Sequence, residues 1–163
     1  VSLAYALTTF VGQNRGAGKI DRAREGIRKA MILSLCTSVI LGLIFITFGK
    51  YILTLFISGT PQEVEATMNV AYRYLTVMST CLPLLYCLHI IKCALVGLGN
   101  STFPMWSGVS ELFMRAGSAF ILPFLWGEMS LFFAEPLAWL GADVVMLIGY
   151  FSYMKKLTAK AEE

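Results

Sequence analysis

The sequence predicts an all-α, polytopic transmembrane helical bundle, and three observations carry that prediction. Hydrophobic residues make up 57% of the 163 and charged residues 14%, with a mean hydropathy of +0.70, against roughly 25% charge in an average soluble domain. Such a chain has too little polar surface to cover a water-facing globule. Its apolar residues also run in blocks without a charge, Ala30 to Gly49 and Tyr74 to Leu88, near the roughly 20 residues that carry a helix across about 30 Å of hydrocarbon. Glycine, proline and capping residues gather between the blocks, where helices break.

Taken in order, the chain reads as a single transmembrane domain over residues 1–163. Residues 1–12 are expected to be the end of a helix: Val1 to Val11 is apolar but too short to span, so a cut through a longer helix is the natural reading. No basic n-region with a small-residue cleavage site marks a signal peptide. Residues 13–26 are expected as a basic cytoplasmic turn, with Gly16 and Gly18 free to take positive φ and Asp21 placed to cap the next helix. Spans are expected near 27–57, 67–97, 103–126 and 130–154, with a cytoplasmic tail at 155–163. Ser34, Ser38 and Gly42, four apart on the first of these spans, offer a small-residue face to a neighbour. Ser58-Gly59-Thr60-Pro61 breaks that span, Gly97 to Thr102 breaks the next with Pro104 harmless in the following first turn, and Trp126-Gly127-Glu128 marks the last turn.

Orientation follows from the cations. Arg15, Lys19, Arg22, Arg24, Arg28 and Lys29 crowd the first connection and Lys155, Lys156 and Lys160 the tail, whereas the second connection holds Glu63 and Glu65. The positive-inside rule puts the first connection and the C-terminus in the cytoplasm. Nucleic acid is not a partner this basic cluster fits, because Asp21 and Glu25 interleave it and no aromatic accompanies it. A phosphate loop fails on spacing, with Gln13 and Ile20 where that motif needs glycine and a hydroxyl. One histidine, and cysteines on different helical faces at 81, 87 and 93, give neither a metal cluster nor a nucleophile with its base. The expectation is no enzyme and no bound cofactor.

Ionisable residues inside spans are the sharper signal, because a charge at bilayer depth costs about 2.5 kcal/mol or more without a partner or water. Ser107, Glu111, Arg115 and Ser118 share one face of the fourth segment, Glu111 and Arg115 being an i,i+4 pair. Glu135, Trp139, Asp143, Met146 and Tyr150 form one stripe near the end of the chain. Tyr72, Ser79, Tyr86 and Cys93 recur every seven residues, with His89 and Lys92 close by. Two readings fit these stripes: helix-joining pairs and interfacial residues, or the lining of an aqueous cavity whose carboxylates exchange protons or cations. Glu111, Arg115, Glu135, Asp143, Tyr86 and His89 are the candidates. Pro83, Pro123 and Pro136 within spans free the carbonyls of Ser79, Ala119 and Phe132 and mark bending points.

Three stretches resemble one family. Val11 to Gly18 followed by Arg22-Ala23, then Ala94 to Ser101 with Pro104, Glu111 and Arg115, and finally Glu135-Pro136-Leu137-Ala138-Trp139 with Asp143, are together similar to the C-terminal lobe of the multidrug and toxic compound extrusion (MATE) transporters. The resemblance implies a partial lobe of a twelve-helix antiporter in a bacterial-type plasma membrane, its N-terminal lobe absent. It implies export of organic cations and other drug-like amphipathic compounds by alternating access, with protons or sodium ions as coupling ion. The sequence departs from some members in having no acid around Leu85, midway along what would be the tenth helix. A flippase for lipid-linked saccharides and a non-transporting structural membrane subunit are the alternatives.

Overall fold

A computed structural model of the chain describes residues 2–161, apart from the side chains of Glu128, Thr158, Lys160 and Ala161. Val1 and the end of the expected tail, Glu162 and Glu163, lie outside the described residues, as does the side chain of Lys160 among the tail cations. Five α-helices follow one another: α1 (Ser2–Gly16), α2 (Ile20–Thr54), α3 (Pro61–Gly97), α4 (Thr102–Trp126) and α5 (Ala134–Ala161), with a 3-10 helix (Glu128–Phe133) leading into α5. No strand occurs among the described residues. The segments at Ile20–Thr54, Pro61–Gly97, Thr102–Trp126 and Met129–Leu157 are each long and apolar enough to cross a membrane. The polytopic all-α bundle is therefore what the chain forms.

α3 is the axis of the bundle. It packs on α1, α2 and α5, while α4 is held chiefly by α5. One apolar cluster joins Leu7, Val11, Ile27, Ile90, Ala94 and Met154 across α1, α2, α3 and α5. A second joins Leu88, Ile91 and Leu95 of α3 to Trp139, Ala142 and Met146 of α5. Large apolar side chains such as Leu43, Tyr51, Phe120 and Phe124 point outward, as expected where the surrounding medium is hydrocarbon, which makes burial inside the protein unnecessary.

The helix ends explain the turns. α1 closes with the Lys19 N–H on the Asn14 carbonyl at 2.8 Å and Gly18 at φ 72°, and α3 closes with the Asn100 N–H on the Leu95 carbonyl at 2.9 Å and Gly99 at φ 71°. Both are six-to-one closures that satisfy carbonyls the helix leaves free. At the start of α3, Thr60 donates its N–H (3.0 Å) and its hydroxyl (2.7 Å) to Glu63, and Pro61 fills a position that needs no donor.

Several expectations are corrected. The basic turn expected at 13–26 shrinks to residues 17–19, because α2 begins at Ile20 and carries Arg22, Arg24, Arg28 and Lys29 on its own first turns. A helix of 35 residues is roughly 52 Å long at 1.5 Å per residue, so it extends out of the hydrocarbon and needs no loop to expose its charges. The expected tail likewise continues α5 to Ala161. Asp21 does not cap α2; Lys19 holds that position and Asp21 sits in the first turn, where its charge complements the helix dipole. Pro136 lies within the membrane-length segment Met129–Leu157 but frees no carbonyl of a helix interior, because the 3-10 helix runs to Phe133 and α5 starts at Ala134. It occupies the first turn, where a missing N–H breaks no helical bond.

Candidate functional site

The polar face of α4 meets the start of α5. Glu111 and Arg115 pair along α4 at 2.7 Å, and the same guanidinium nitrogen reaches Glu135 at 2.9 Å. Arg115 thus joins two helices through two carboxylates, a cation–anion count that leaves one negative charge over. Glu135 lies in the first turn of α5, where the positive end of the helix dipole offsets part of that charge. Serines extend the seam in both directions: the Ser107 hydroxyl donates to the Ala142 carbonyl at 3.3 Å, and Ser118 lies 3.5 Å from the Ala134 carbonyl. The expected face of Ser107, Glu111, Arg115 and Ser118 is the α4–α5 contact. The sequence supplied Glu111 with Arg115 but no partner for Glu135, because only the return of α5 against α4 brings Arg115 to it.

Asp143 lies elsewhere. It follows Ala142 on the stripe that α5 turns toward α3, between Trp139 and Met146, and is 5% exposed. Its Oδ1 is buried without a hydrogen-bond partner. Leu84, Leu85 and Cys87 of α3 border the same α3–α5 cluster. The carboxylate therefore stands beside the C-terminal half of α3, near the stretch around Leu85 that carries no acid of its own.

Tyr86 and His89 belong to a third place. With Ser34, Thr37 and Ile90 they line a small groove of about 360 Å³ among α1, α2 and α3, and His89 Nδ1 lies 2.9 Å from the Leu85 carbonyl. The seven-residue repeat that contains Tyr86 is a packing seam: Tyr72 donates its hydroxyl to the Ile46 carbonyl at 2.8 Å, and the Cys93 carbonyl accepts from Thr8 at 3.2 Å. A Cβ placed on Gly42 would stand 2.8 Å from the Ser79 carbonyl oxygen, so the small-residue face of α2 meets α3 at the carbonyl that Pro83 frees. The structure thus gathers Glu111, Arg115 and Glu135, sets Asp143 apart, and puts Tyr86 with His89 on the other side of α3.

The model of the MatE family matches residues 1–121 of this chain. The chain belongs to the MatE family. Membership makes it an integral membrane protein of the MATE transporter type, in keeping with its membrane-length helices. Neither a curated protein nor a solved structure matches the chain. Glu111 and Arg115 fall inside the stretch this MatE chain shares with the family model, and Glu135 and Asp143 fall beyond it.

Proposed function

We propose that this MATE-type lobe serves an antiporter that exports organic cations or amphipathic drug-like compounds by alternating access, in exchange for protons or sodium ions. The observation that carries the reading is the buried Asp143 oxygen without a partner. An ionised carboxylate at bilayer depth is costly unless something compensates it, and a proton or a small cation supplies what the protein does not. Arg115 is the single cation from residue 102 to residue 154, against Glu111, Glu128, Glu135 and Asp143, so this half of the lobe favours positively charged cargo and coupling ions. Glu111, Arg115 and Glu135 hold α4 to α5 in this reading, and Asp143 takes the coupling role.

The reading sets the basic end of the bundle in the cytoplasm of a bacterial-type plasma membrane and makes an N-terminal lobe the partner that completes the central cavity. A flippase for lipid-linked saccharides asks for a cationic cavity, which one arginine in this stretch does not provide. Efflux of a cationic dye from proteoliposomes that hold this chain joined to its N-terminal lobe, driven by an imposed proton or sodium gradient, tests the proposal. Asp143→Asn is expected to abolish gradient-driven efflux while the protein still inserts and folds; full efflux by that variant would remove Asp143 from the mechanism.

A further inference from the structure

A groove of about 960 Å³ opens at the basic end of the bundle between α2 and α5, with α3 behind it. Its floor is apolar and closed, built from Ile27, Ile91 and Met154, each at most 4% exposed. Its rim carries Arg24 and Arg28 on α2 and Lys155 on α5, all exposed. No salt bridge engages any of these three among the described residues, whereas the neighbouring Lys29 is paired with Glu25 at 2.7 Å. From Arg24 to Ile32 on α2, and from Lys155 to Leu147 on α5, the groove walls run about 12 Å along each helix toward the bilayer centre. The cavity therefore changes character with depth, cationic where headgroups lie and, Tyr150 apart, lined by apolar side chains below.

We propose that this groove is a binding site for an anionic phospholipid, its phosphate held by Arg24, Arg28 and Lys155 and an acyl chain laid over Ile27 and Ile91. Charge selects this occupant. Basic pockets between membrane helices on the cytoplasmic side suit anionic headgroups, and a volume near 1,000 Å³ is that of a ligand pocket rather than a packing defect. A hydrophobic helix would cover the floor and leave the three cations unanswered. The lipid is a resident ligand and not cargo, because no cation continues down the groove to carry a headgroup across.

Native mass spectrometry of the purified chain in detergent, with phosphatidylglycerol and phosphatidylcholine of identical acyl chains as probes, reads the site directly. Phosphatidylglycerol is expected to be retained at least about tenfold better. Arg24→Gln, Arg28→Gln and Lys155→Gln together are expected to cost on the order of a hundredfold, at roughly fivefold per cation near a membrane surface. Leu147→Trp, which fills the apolar body and keeps every charge, is expected to lose the lipid as well. Neutralising Arg22, Lys29 and Lys156, which do not line the groove, is expected to change binding by less than about twofold. Equal retention of the two lipids overturns the proposal, as does an equal loss from the off-groove triple variant. Undiminished binding by Leu147→Trp overturns it too, and so does a chain–chain dimer that the rim variant dissolves, since a second copy would then be the occupant.

Discussion

The α1–α3 side of the bundle and the α4–α5 pair are both packed membrane helices, but different chemistry closes them. Around α3 the interhelical hydrogen bonds are neutral: Thr8 and Tyr72 donate to backbone carbonyls at 3.2 and 2.8 Å, and Gly42 lets α2 touch α3, with Lys50 over the Tyr72 ring the one cation at that contact among the described residues. Between α4 and α5, an arginine shared by two carboxylates does the joining. A neutral seam is satisfied by the backbone that already has to be there, so it holds whatever the surroundings. A charged seam is balanced only while all its members are present. The difference teaches where this lobe can respond to an ion: Asp143 lies between the two regions, on the helix that serves the charged seam and against the helix that anchors the neutral one.

Removing Arg115 tests the contrast most severely. Arg115→Gln leaves Glu111 and Glu135 without their cation, and an unpaired charge in a buried pair costs about 3–5 kcal/mol; with these side chains partly open, about 2–3 kcal/mol is expected in a reversible unfolding assay in detergent or bicelles. Adding Glu135→Gln should recover part of the loss, and an absence of recovery would show that the seam does not depend on charge balance. Gly42→Val attacks the neutral side, where overpacking costs about 1–3 kcal/mol, and should destabilise by about 2 kcal/mol with no change on varying salt. Asp143→Leu is expected to stabilise the bundle by about 1–2 kcal/mol, since an orphaned buried polar atom is removed, while gradient-driven efflux disappears. A destabilised Asp143→Leu protein would mean that the carboxylate has a structural partner. Ser107→Ala should be the mildest change, about 0.6 kcal/mol for one interhelical hydrogen bond in a membrane, read by the same unfolding assay.

The bundle and its breaks were legible because hydropathy, glycine and proline act locally. Gly18 takes the positive φ expected of it whereas Gly16 stays in α1, and Ser34, Ser38 and Gly42 make the close face expected of them. Charges misled where they were equated with loops. Arg22, Arg24, Arg28 and Lys29 lie on α2 itself, because lysine and arginine are good helix formers and a helix passes from lipid to water without interruption. Pro136 was expected to free the Phe132 carbonyl because it falls inside a span, and nothing local announced the 3-10 helix that delays α5 and leaves Pro136 in its first turn. Of the candidate site, the i,i+4 pair Glu111 with Arg115 was visible in one helix, whereas the Arg115–Glu135 pair needs two.

By itself the sequence determined that this chain crosses a membrane several times as helices and where those helices break, since both depend on the free energy of transferring residues a turn or two apart. Only the tertiary structure decided which polar residues have partners. It gave Glu135 to Arg115, turned the Tyr86 repeat into a packing seam, and left one Asp143 oxygen alone in the interior. The physical reason is that a buried charge is balanced by whatever neighbour the fold brings within a few ångströms, and that neighbour can lie twenty or sixty residues away along the chain.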